Sequence, residues 1–406
     1  MNKIAIINIY GHANHGDGAL TETLINQLQS GGHQVVVASA LFPDAEARLL
    51  PEQIWRSRLL SKPRTGVIDR TKHIFRSLAI MICCVLKLDS IVRFFLTSDE
   101  KRTLAYIACQ DVVFSCPGGY LEDSNPSYLI NLLNIYLVSI YNSKVILAPM
   151  SIGPITNAFG TFLLKKVLEG VSLIYVRESF SLNFCHRILK SKNNIYLSQD
   201  LAFYFSVQKP IIKVDPVVYN PAVVKRRKIG ITVVNWPFSG SQNSESLLFL
   251  YKKNIANLVS YIEFNEKCPV VFVNQVQSDI PLAVEISDMA DSGSVLTDER
   301  TVSEHLDLIG SFDYFIGSRF HSCIFAMLES VPFVALSYLP KVSEIMNDLG
   351  LSDLCLNLYA LQSPDDILNH YLKCSSSLEA SKTTIYNSVS KYINQPSPFS
   401  SMISSL

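Results

Sequence analysis

The sequence predicts an α/β protein with two doubly wound domains, each a parallel sheet covered by helices. The first observation is length, because 406 residues suit two domains of about 200 each. The second is an alternation of strand-like and helix-like patterns that starts at the N-terminus and starts again near residue 229. The third is composition: 48% hydrophobic against 17% charged residues is typical of a globular chain.

The first half begins with a β-α-β order, which requires parallel strands. "KIAIINIYG" predicts a strand, "GDGALTETLINQLQSGG" a helix that starts at Asp17, and "HQVVVASAL" the next strand. Strand patterns follow at residues 111–119, 144–154 and 173–179, and residues 194–205 form the last predicted element. We therefore assign residues 1–205 to an N-terminal domain.

The second half repeats this alternation after a segment of different amino-acid composition. Residues 206–228 are proline-rich and end in a basic cluster, which is typical of a linker. Strands and helices then alternate over residues 229–350, the second predicted domain. Residues 351–406 are predicted to form a helical tail whose last segment, "PSPFSSMISSL", is frayed.

Charge and cysteine content exclude several functions. The formal net charge is zero, which argues against a general electrostatic attraction to nucleic acid. The nine cysteines are irregularly spaced without a CxxC pair, so neither a zinc site nor a disulfide framework is predicted. Reduced, mostly buried thiols in a cytosolic protein are expected.

Residues 73–97 are strongly apolar, but charged residues interrupt them too often for a membrane span. A core or interdomain helix is the favoured interpretation. The alternative is a peripheral contact, in which one apolar face lies on a membrane surface.

Ligands of doubly wound sheets bind at the carboxyl ends of the strands, so residues just after strands are site candidates. In "NIYGHANHGDGA", a glycine-rich turn leads into a helix that Asp17 is placed to cap, either for a ligand or simply as a tight turn. In "SCPGGYLED", Gly118 and Gly119 offer a backbone-lined edge. Glu122 and Asp123 follow as a candidate general base and hydroxyl ligand, or as ordinary acids at a helix start.

Arg177 ends the apolar strand of "VRESFS", where an unpaired cation is costly. Two interpretations are open: an internal ion pair with Glu178 or Asp200, and the binding of an anionic ligand.

The segment "DYFIGSRFHSCIFAMLESVPFVALSYLPK" places cationic groups at two strand-to-helix turns. Ser318 is the predicted N-cap, with Arg319 and His321 at the first and third helical positions. Helix N-termini disfavour cations and attract anions. Because Lys341 repeats this conflict after the next strand, we predict an anion site.

These motifs make the chain resemble the polysaccharide pyruvyl transferase family over about residues 8–350. The resemblance is carried by "NHGDGAL", "PGGYLED", "VRESFS", "QDLAF" and "IGSRFHSCIFAMLESVPFVALSYLPK". It implies a GT-B-like fold, with two Rossmann-like domains facing an interdomain cleft. It also implies transfer of a pyruvyl group from phosphoenolpyruvate to a hydroxyl pair of a sugar, which forms a cyclic ketal.

The resemblance also implies roles for the candidate residues. The family's Arg-x-His pair falls on Arg319 and His321, for which we expect catalytic roles, with His321 as general acid. Its downstream lysine falls on Lys341, and its other motif arginine on Arg177, with Glu178 where the family has aspartate. The donor is expected to be bound by four residues: Arg319, Lys341, Arg177 and Ser318.

We expect the acceptor, a sugar of a surface polysaccharide or its lipid-linked precursor, to be bound by a second set of residues: Asp17, Gly118, Gly119, Glu122 and Asp123. Phosphoenolpyruvate is the expected co-substrate, without metal or other cofactor, in the cytoplasm or at the inner face of the membrane. Two alternatives are open: a GT-B glycosyltransferase that uses a nucleotide sugar, and a non-catalytic relative in polysaccharide assembly.

Overall fold

The chain folds into two compact units. A computed structural model describes residues 1–10, 14–40, 55–57, 59–60, 67–123, 127–190, 193–205, 227–238, 243–376 and 378–406. The first unit comprises Met1–His12, Asp17–Leu201 and Pro396–Leu406, and the second comprises Ala13–Gly16 and Ala202–Gln395. The predicted linker lies outside the described residues as far as residue 226.

The first unit is a parallel sheet with helices. Its strands are β1 (Lys3–Ile9), β2 (Gln34–Ala40), β3 (Trp55–Ser57), β4 (Val112–Ser115), β5 (Gly118–Leu121), β6 (Val145–Ile152), β7 (Leu173–Val176) and β8 (Ile195–Leu197). Its helices up to β8 are α1 (His15–Ser30, whose first two residues belong to the second unit), α2 (Val67–Leu86), α3 (Ser98–Ala108), α4 (Tyr128–Tyr141), α5 (Ala158–Leu168) and α6 (Ser179–Ile188). All eight residues of β6 are buried, as expected for a central parallel strand covered on both faces.

The strand order of this sheet is β3-β2-β1-β4-β6-β7-β8, with β5 paired to β6. The chain therefore winds outward in both directions from β1 and β4, and the loops after these two strands lie at the topological switch point. Asn8 near the end of β1 is fully buried with φ 59°. Its amide donates to the Ser115 hydroxyl at 3.0 Å and so joins the two switch-point strands.

The second unit repeats the architecture. Its strands are β9 (Ile229–Thr232), β10 (Val270–Phe272), β11 (Ser294–Val295), β12 (Tyr314–Gly317), β13 (Phe333–Ser337) and β14 (Cys355–Asn357). Its helices are α7 (Ser244–Asn265), α8 (Ile280–Ala290), α9 (Val302–Gly310), α10 (Phe320–Leu328), α11 (Pro340–Asp348), α12 (Asp366–Ser375) and α13 (Leu378–Ile393). The parallel order β11-β10-β9-β12-β13-β14 puts the switch point between β9 and β12. Two doubly wound α/β units confirm the predicted fold class.

The C-terminal region is helical as predicted, with two departures. The short strand β14 pairs with the edge of the second sheet, and a three-residue strand is too short for its pattern to stand out. The expected frayed end is wrong, because α14 (Pro398–Ser405) is a capped helix whose Phe399 is fully buried. The Phe399 ring contacts Phe114 and Tyr175 of the first unit, with ring centroids 6.1 and 5.1 Å apart.

The apolar segment at residues 73–97 forms most of α2 and a 3₁₀ turn at Val92–Phe95. Ile80, Cys83 and Cys84 bury one side of α2 in the first core, as the core-helix interpretation predicts. Within the described ranges, no helix combines the length and apolarity that crossing a bilayer requires. Seven of the nine cysteines are buried, as the sequence predicts for most of them.

Candidate active site

Arg319 lies two residues after the end of β12, which pairs with β9 at the switch point of the second sheet. Its Nε and Nη2 donate to Asp279 Oδ2 and Oδ1 at 2.8 and 2.6 Å. Asp279 is fully buried at the start of α8, and such a bidentate pair fixes the plane of the guanidinium. Burial alone would lower the pKa of Arg319, but Tyr338 and Asp279 raise it, so the side chain stays cationic.

The helix after β12 begins one residue later than predicted. Arg319, and not Ser318, is the N-cap of α10. Ser318 still belongs to the sheet edge, since its N–H donates to Thr232 Oγ1 at 3.0 Å and its hydroxyl lies 3.1 Å from the Tyr251 hydroxyl. The Ser322 hydroxyl donates to the Arg319 carbonyl at 2.7 Å. The predicted N-cap was wrong because Arg319 itself is extended, with φ −96° and ψ 137°, so the helical conformation begins only at Phe320.

His321 occupies the second position of α10 and is 8% exposed. The backbone of Gly16 lies against its ring: a Cβ at residue 16 would be 2.0 Å from His321 Nδ1 and 2.6 Å from its Cβ. Real Cβ atoms essentially never approach other heavy atoms below 3.0 Å, so only glycine fits at this position. The glycine-rich turn therefore sets the space in which the His321 ring sits.

His15 holds residues 14–16 in place within the second unit. Its ring nitrogens lie 3.1 Å from two backbone carbonyl oxygens, those of Gln275 and Arg300. The ring stacks on buried His305 with centroids 4.1 Å apart and an interplanar angle of 5°. Burial lowers the pKa of both imidazoles, which favours the uncharged rings that stacking at this distance requires.

The predicted cap at Asp17 is corrected in the same region. Helix α1 begins at His15, and Asn14 Oδ1 accepts from the Gly16 N–H at 3.1 Å. Asn14 thus makes the capping contact predicted for Asp17, which lies within the first turn, where its carbonyl accepts from the Thr21 hydroxyl at 2.9 Å. His12 lies outside the described residues.

Lys341 is the second residue of α11, which follows β13. This confirms its predicted place at a helix start. Because β13 pairs with β12, Lys341 and Arg319 leave the sheet at the same edge. Tyr338 also follows β13, and its ring packs at 4.9 Å on Trp236, which follows β9. Cationic and aromatic side chains thus share the switch-point edge.

Of the acceptor candidates, Gly118 and Gly119 begin β5, which pairs with β6. The sequence predicts them as the end of one strand at residues 111–119, but the structure divides that segment into β4 and β5. Glu122 is 9% exposed directly after β5. Asp123 Oδ2 accepts from Thr156 N–H and hydroxyl at 2.6 and 2.7 Å. Asp123 therefore has a structural contact, and the acceptor roles stay predictions.

Arg177 is 2% exposed in the first unit and belongs to a buried polar network. Its Nη1 donates to Asp200 Oδ2 at 2.7 Å, its Nε donates to the Ser151 hydroxyl at 2.9 Å, and Glu178 Oε2 lies 3.5 Å away. The internal ion pair, one of the two interpretations left open by the sequence, is confirmed. Donor binding by Arg177 stays a prediction.

We expect Asp200→Ala to lower the free energy of unfolding by about 3–5 kcal/mol, because it leaves the buried Arg177 charge without its closest carboxylate. Urea unfolding followed by circular dichroism measures this. The matched control is Asp99→Ala, which breaks an Arg102 pair whose side chains are 78% and 83% exposed. Equal effects of the two substitutions would contradict the assignment of a structural pair.

Three residues of the site escaped prediction: Asp279, Tyr338 and Gly16. Asp279 lies 40 residues from Arg319 in sequence, and a local pattern contains no information on such a pair. The usable signal was its position shortly after a strand, which it shares with Tyr338. The sequence of the glycine-rich turn leaves open whether His15 contacts a ligand or faces water, whereas the structure shows an internal anchor.

Two parallel, doubly wound α/β units, each with candidate residues near the carboxyl ends of its strands, give this protein a GT-B-like fold. The chain belongs to the polysaccharide pyruvyl transferase family, whose model matches residues 14–340, and it is a transferase. Among curated proteins, none matches the chain.

Solved structures carry the same fold. Anabaena Alr3699/HepE in complex with UDP and glucose aligns with a TM-score of 0.59 at 9% identity, over 100% of this chain and 98% of that chain. A glycosyltransferase from Rickettsia africae aligns with a TM-score of 0.55 at 12% identity, over 100% and 97%. UDP-GlcNAc 2-epimerase from Neisseria meningitidis, bound to UDP-GlcNAc, aligns with a TM-score of 0.52 at 10% identity, over 100% and 98%. Identities this low show the fold alone.

Proposed function

We propose that this transferase moves a pyruvyl group from phosphoenolpyruvate to a hydroxyl pair of a sugar, in a surface polysaccharide or its precursor, and forms a cyclic ketal. The observation that carries the proposal is the Arg319 guanidinium, held as an oriented cation by Asp279 at the switch point, with His321 two residues away. In a member of the pyruvyl transferase family, this arrangement suits an anionic donor.

Donor binding follows from the charges of phosphoenolpyruvate. Its phosphate is a tetrahedral anion and its carboxylate a planar one, and both are recognised by a guanidinium fork and an ammonium group. Arg319 supplies the fork, and Lys341 supplies the ammonium at the same sheet edge. Ser318, whose hydroxyl is positioned by Tyr251, completes the proposed donor set. The cations meet the charge of the donor, so we propose no further cofactor.

The chemistry needs one proton delivered to carbon. In the proposed reaction His321 protonates the methylene of phosphoenolpyruvate, which becomes a methyl group and leaves C2 electrophilic. One sugar hydroxyl attacks C2, the C2–O bond to phosphate breaks, and the second hydroxyl closes the ketal. Of the two hydroxyl protons, one replaces the proton that His321 gave and the other leaves with phosphate. Arg319 stabilises the departing phosphate dianion.

The remaining assignments are part of the same proposal. Acceptor binding by Asp17, Gly118, Gly119, Glu122 and Asp123 stays a prediction, as does the cytoplasmic location. Two of the solved structures with this fold contain UDP or UDP-GlcNAc. The experiment therefore also tests the alternative of a glycosyltransferase that uses a nucleotide sugar.

The proposal is tested by ligand-induced thermal stabilisation of the purified chain. We expect phosphoenolpyruvate, but not UDP-glucose or UDP-GlcNAc, to raise the melting temperature by several degrees at about 100 times its Kd. Arg319→Ala should abolish this rise, because it removes the bidentate donor to the anion. Arg102→Ala, an exposed arginine of the first unit, is the matched control.

The other outcomes are equally informative. A rise with UDP-sugars alone would replace the proposal with a glycosyltransferase. No rise with any of these ligands, in a well-folded protein, would favour a non-catalytic relative. Phosphate release from phosphoenolpyruvate with a crude glycan pool then tests turnover itself.

A further inference from the structure

An extended apolar face covers one side of the first unit. Its large side chains are between 40% and 81% exposed. We name it the α2 face and define it by Ile74, Phe75, Leu78, Ile82, Leu86, Leu88, Ile91 and Phe94. The first five share one stripe of α2, because they recur at helical spacing, while Ile80, Cys83 and Cys84 point the other side of the helix into the core.

Neighbouring elements enlarge this face. Helix α5 packs beside α2 and contributes Phe159 and Phe162, which are 51% and 42% exposed. Such a number of large, exposed apolar side chains on adjacent elements is unusual for a soluble monomer and indicates a docking surface.

Cations surround the α2 face. Lys72, Lys87 and Arg93 are exposed. The Arg93 guanidinium lies 5.8 Å from the centre of the Tyr141 ring, and the Lys166 ammonium lies 6.0 Å from that of Phe162.

The described acids of the same region are fewer than its cations. Glu100 is buried in an ion pair with Arg76, and exposed Asp99 pairs with Arg102. Asp89 is exposed and accepts a hydrogen bond from the Tyr136 hydroxyl at 2.6 Å. Because the three exposed cations outnumber this one carboxylate, the net charge that the described residues present beside the apolar side chains is positive.

We propose that the α2 face docks on a lipid bilayer containing anionic phospholipids. The apolar side chains enter the boundary between headgroups and acyl chains, and the surrounding cations contact lipid phosphates. An amphipathic helix with a rim of lysine and arginine has the chemistry of an interfacial helix that lies on a membrane. A symmetric contact with a second copy fits less well, because it would bring the same cations together across the interface.

This inference goes beyond the proposed function and does not depend on it, since no residue of the α2 face belongs to the candidate active site. Its consequence is that a glycan carried on a membrane lipid would be close to the enzyme.

The test is co-sedimentation of the full chain with phospholipid vesicles. We expect binding to vesicles with about one third phosphatidylglycerol, much weaker binding to pure phosphatidylcholine, and release at high salt. The double substitution Phe75→Glu with Phe94→Glu should lower partitioning by about tenfold or more, because it places carboxylates where acyl chains would lie.

The matched control is Phe249→Glu with Phe264→Glu. These phenylalanines lie on α7 of the second unit and are 60% and 62% exposed, so the chemical change is the same outside the α2 face. The control should bind vesicles like the parent. If the glutamate pair at residues 75 and 94 impairs folding, as judged by circular dichroism, the serine pair replaces it.

Three results would overturn the proposal. The first is a parent that does not bind anionic vesicles, and the second is a double variant that binds them as the parent does. The third is concentration-dependent dimerisation in analytical ultracentrifugation that the double variant abolishes, without vesicle binding, since the α2 face would then serve self-association.

Discussion

His321→Ala should lower the rate of phosphate release from phosphoenolpyruvate by about a hundredfold to ten-thousandfold, which is the usual contribution of a general acid. The expected loss is in kcat, because protonation of the methylene occurs in the chemical step. The measurement is steady-state phosphate release with a glycan acceptor pool. Thermal stabilisation by phosphoenolpyruvate should survive, since Arg319 and its partner Asp279 are unchanged.

The matched control for this prediction is His186→Ala. His186 lies in the last turn of α6 in the first unit, outside the candidate site, and its replacement should leave the rate unchanged. Turnover by His321→Ala at the parent rate would show that another group is the acid. If His321→Ala lost both phosphoenolpyruvate binding and turnover, His321 would be assigned as a ligand of the donor and not as the acid.

Gly16→Ala should reduce turnover by about a hundredfold, although it adds a single methyl group. The new Cβ would lie 2.0 Å from His321 Nδ1, so either the start of α1 or the imidazole ring must move. Displacements near 1 Å at a catalytic group cost about this much rate. Alanine is the better helix former by about 1 kcal/mol, so loss of helix propensity does not explain a defect.

Gly170→Ala controls for the substitution itself. The nearest atom to a Cβ at residue 170, the Ser139 hydroxyl oxygen, is 3.3 Å away, which a small shift accommodates. Full activity of Gly16→Ala, with an unchanged pH profile, would refute the role of the glycine in positioning His321. A large drop in the melting temperature of Gly16→Ala alongside the loss of activity would assign the effect to stability instead.

Some residues of the candidate site can be predicted from the local sequence pattern, and others cannot. Arg319 and Lys341 were predictable, because a cation just after an apolar strand conflicts with burial and with the helix dipole. Asp279 was not, because the carboxylate that resolves the conflict comes from a different βα unit. Gly16 was not predictable either, because the requirement for glycine at this position depends on where the His321 ring lies.

Local sequence was sufficient for the two α/β units and the place of Arg319, His321 and Lys341 at strand ends. Periodicity reports which side of each element is buried, and parallel strands bring their carboxyl ends to one edge. Contacts across long sequence separations were decided only by folding. Three such contacts are the Arg319–Asp279 pair, the packing of Gly16 against His321, and the packing of α14 within the first unit. They depend on which surfaces meet in the folded chain, and residue types and spacing within one segment do not predict that.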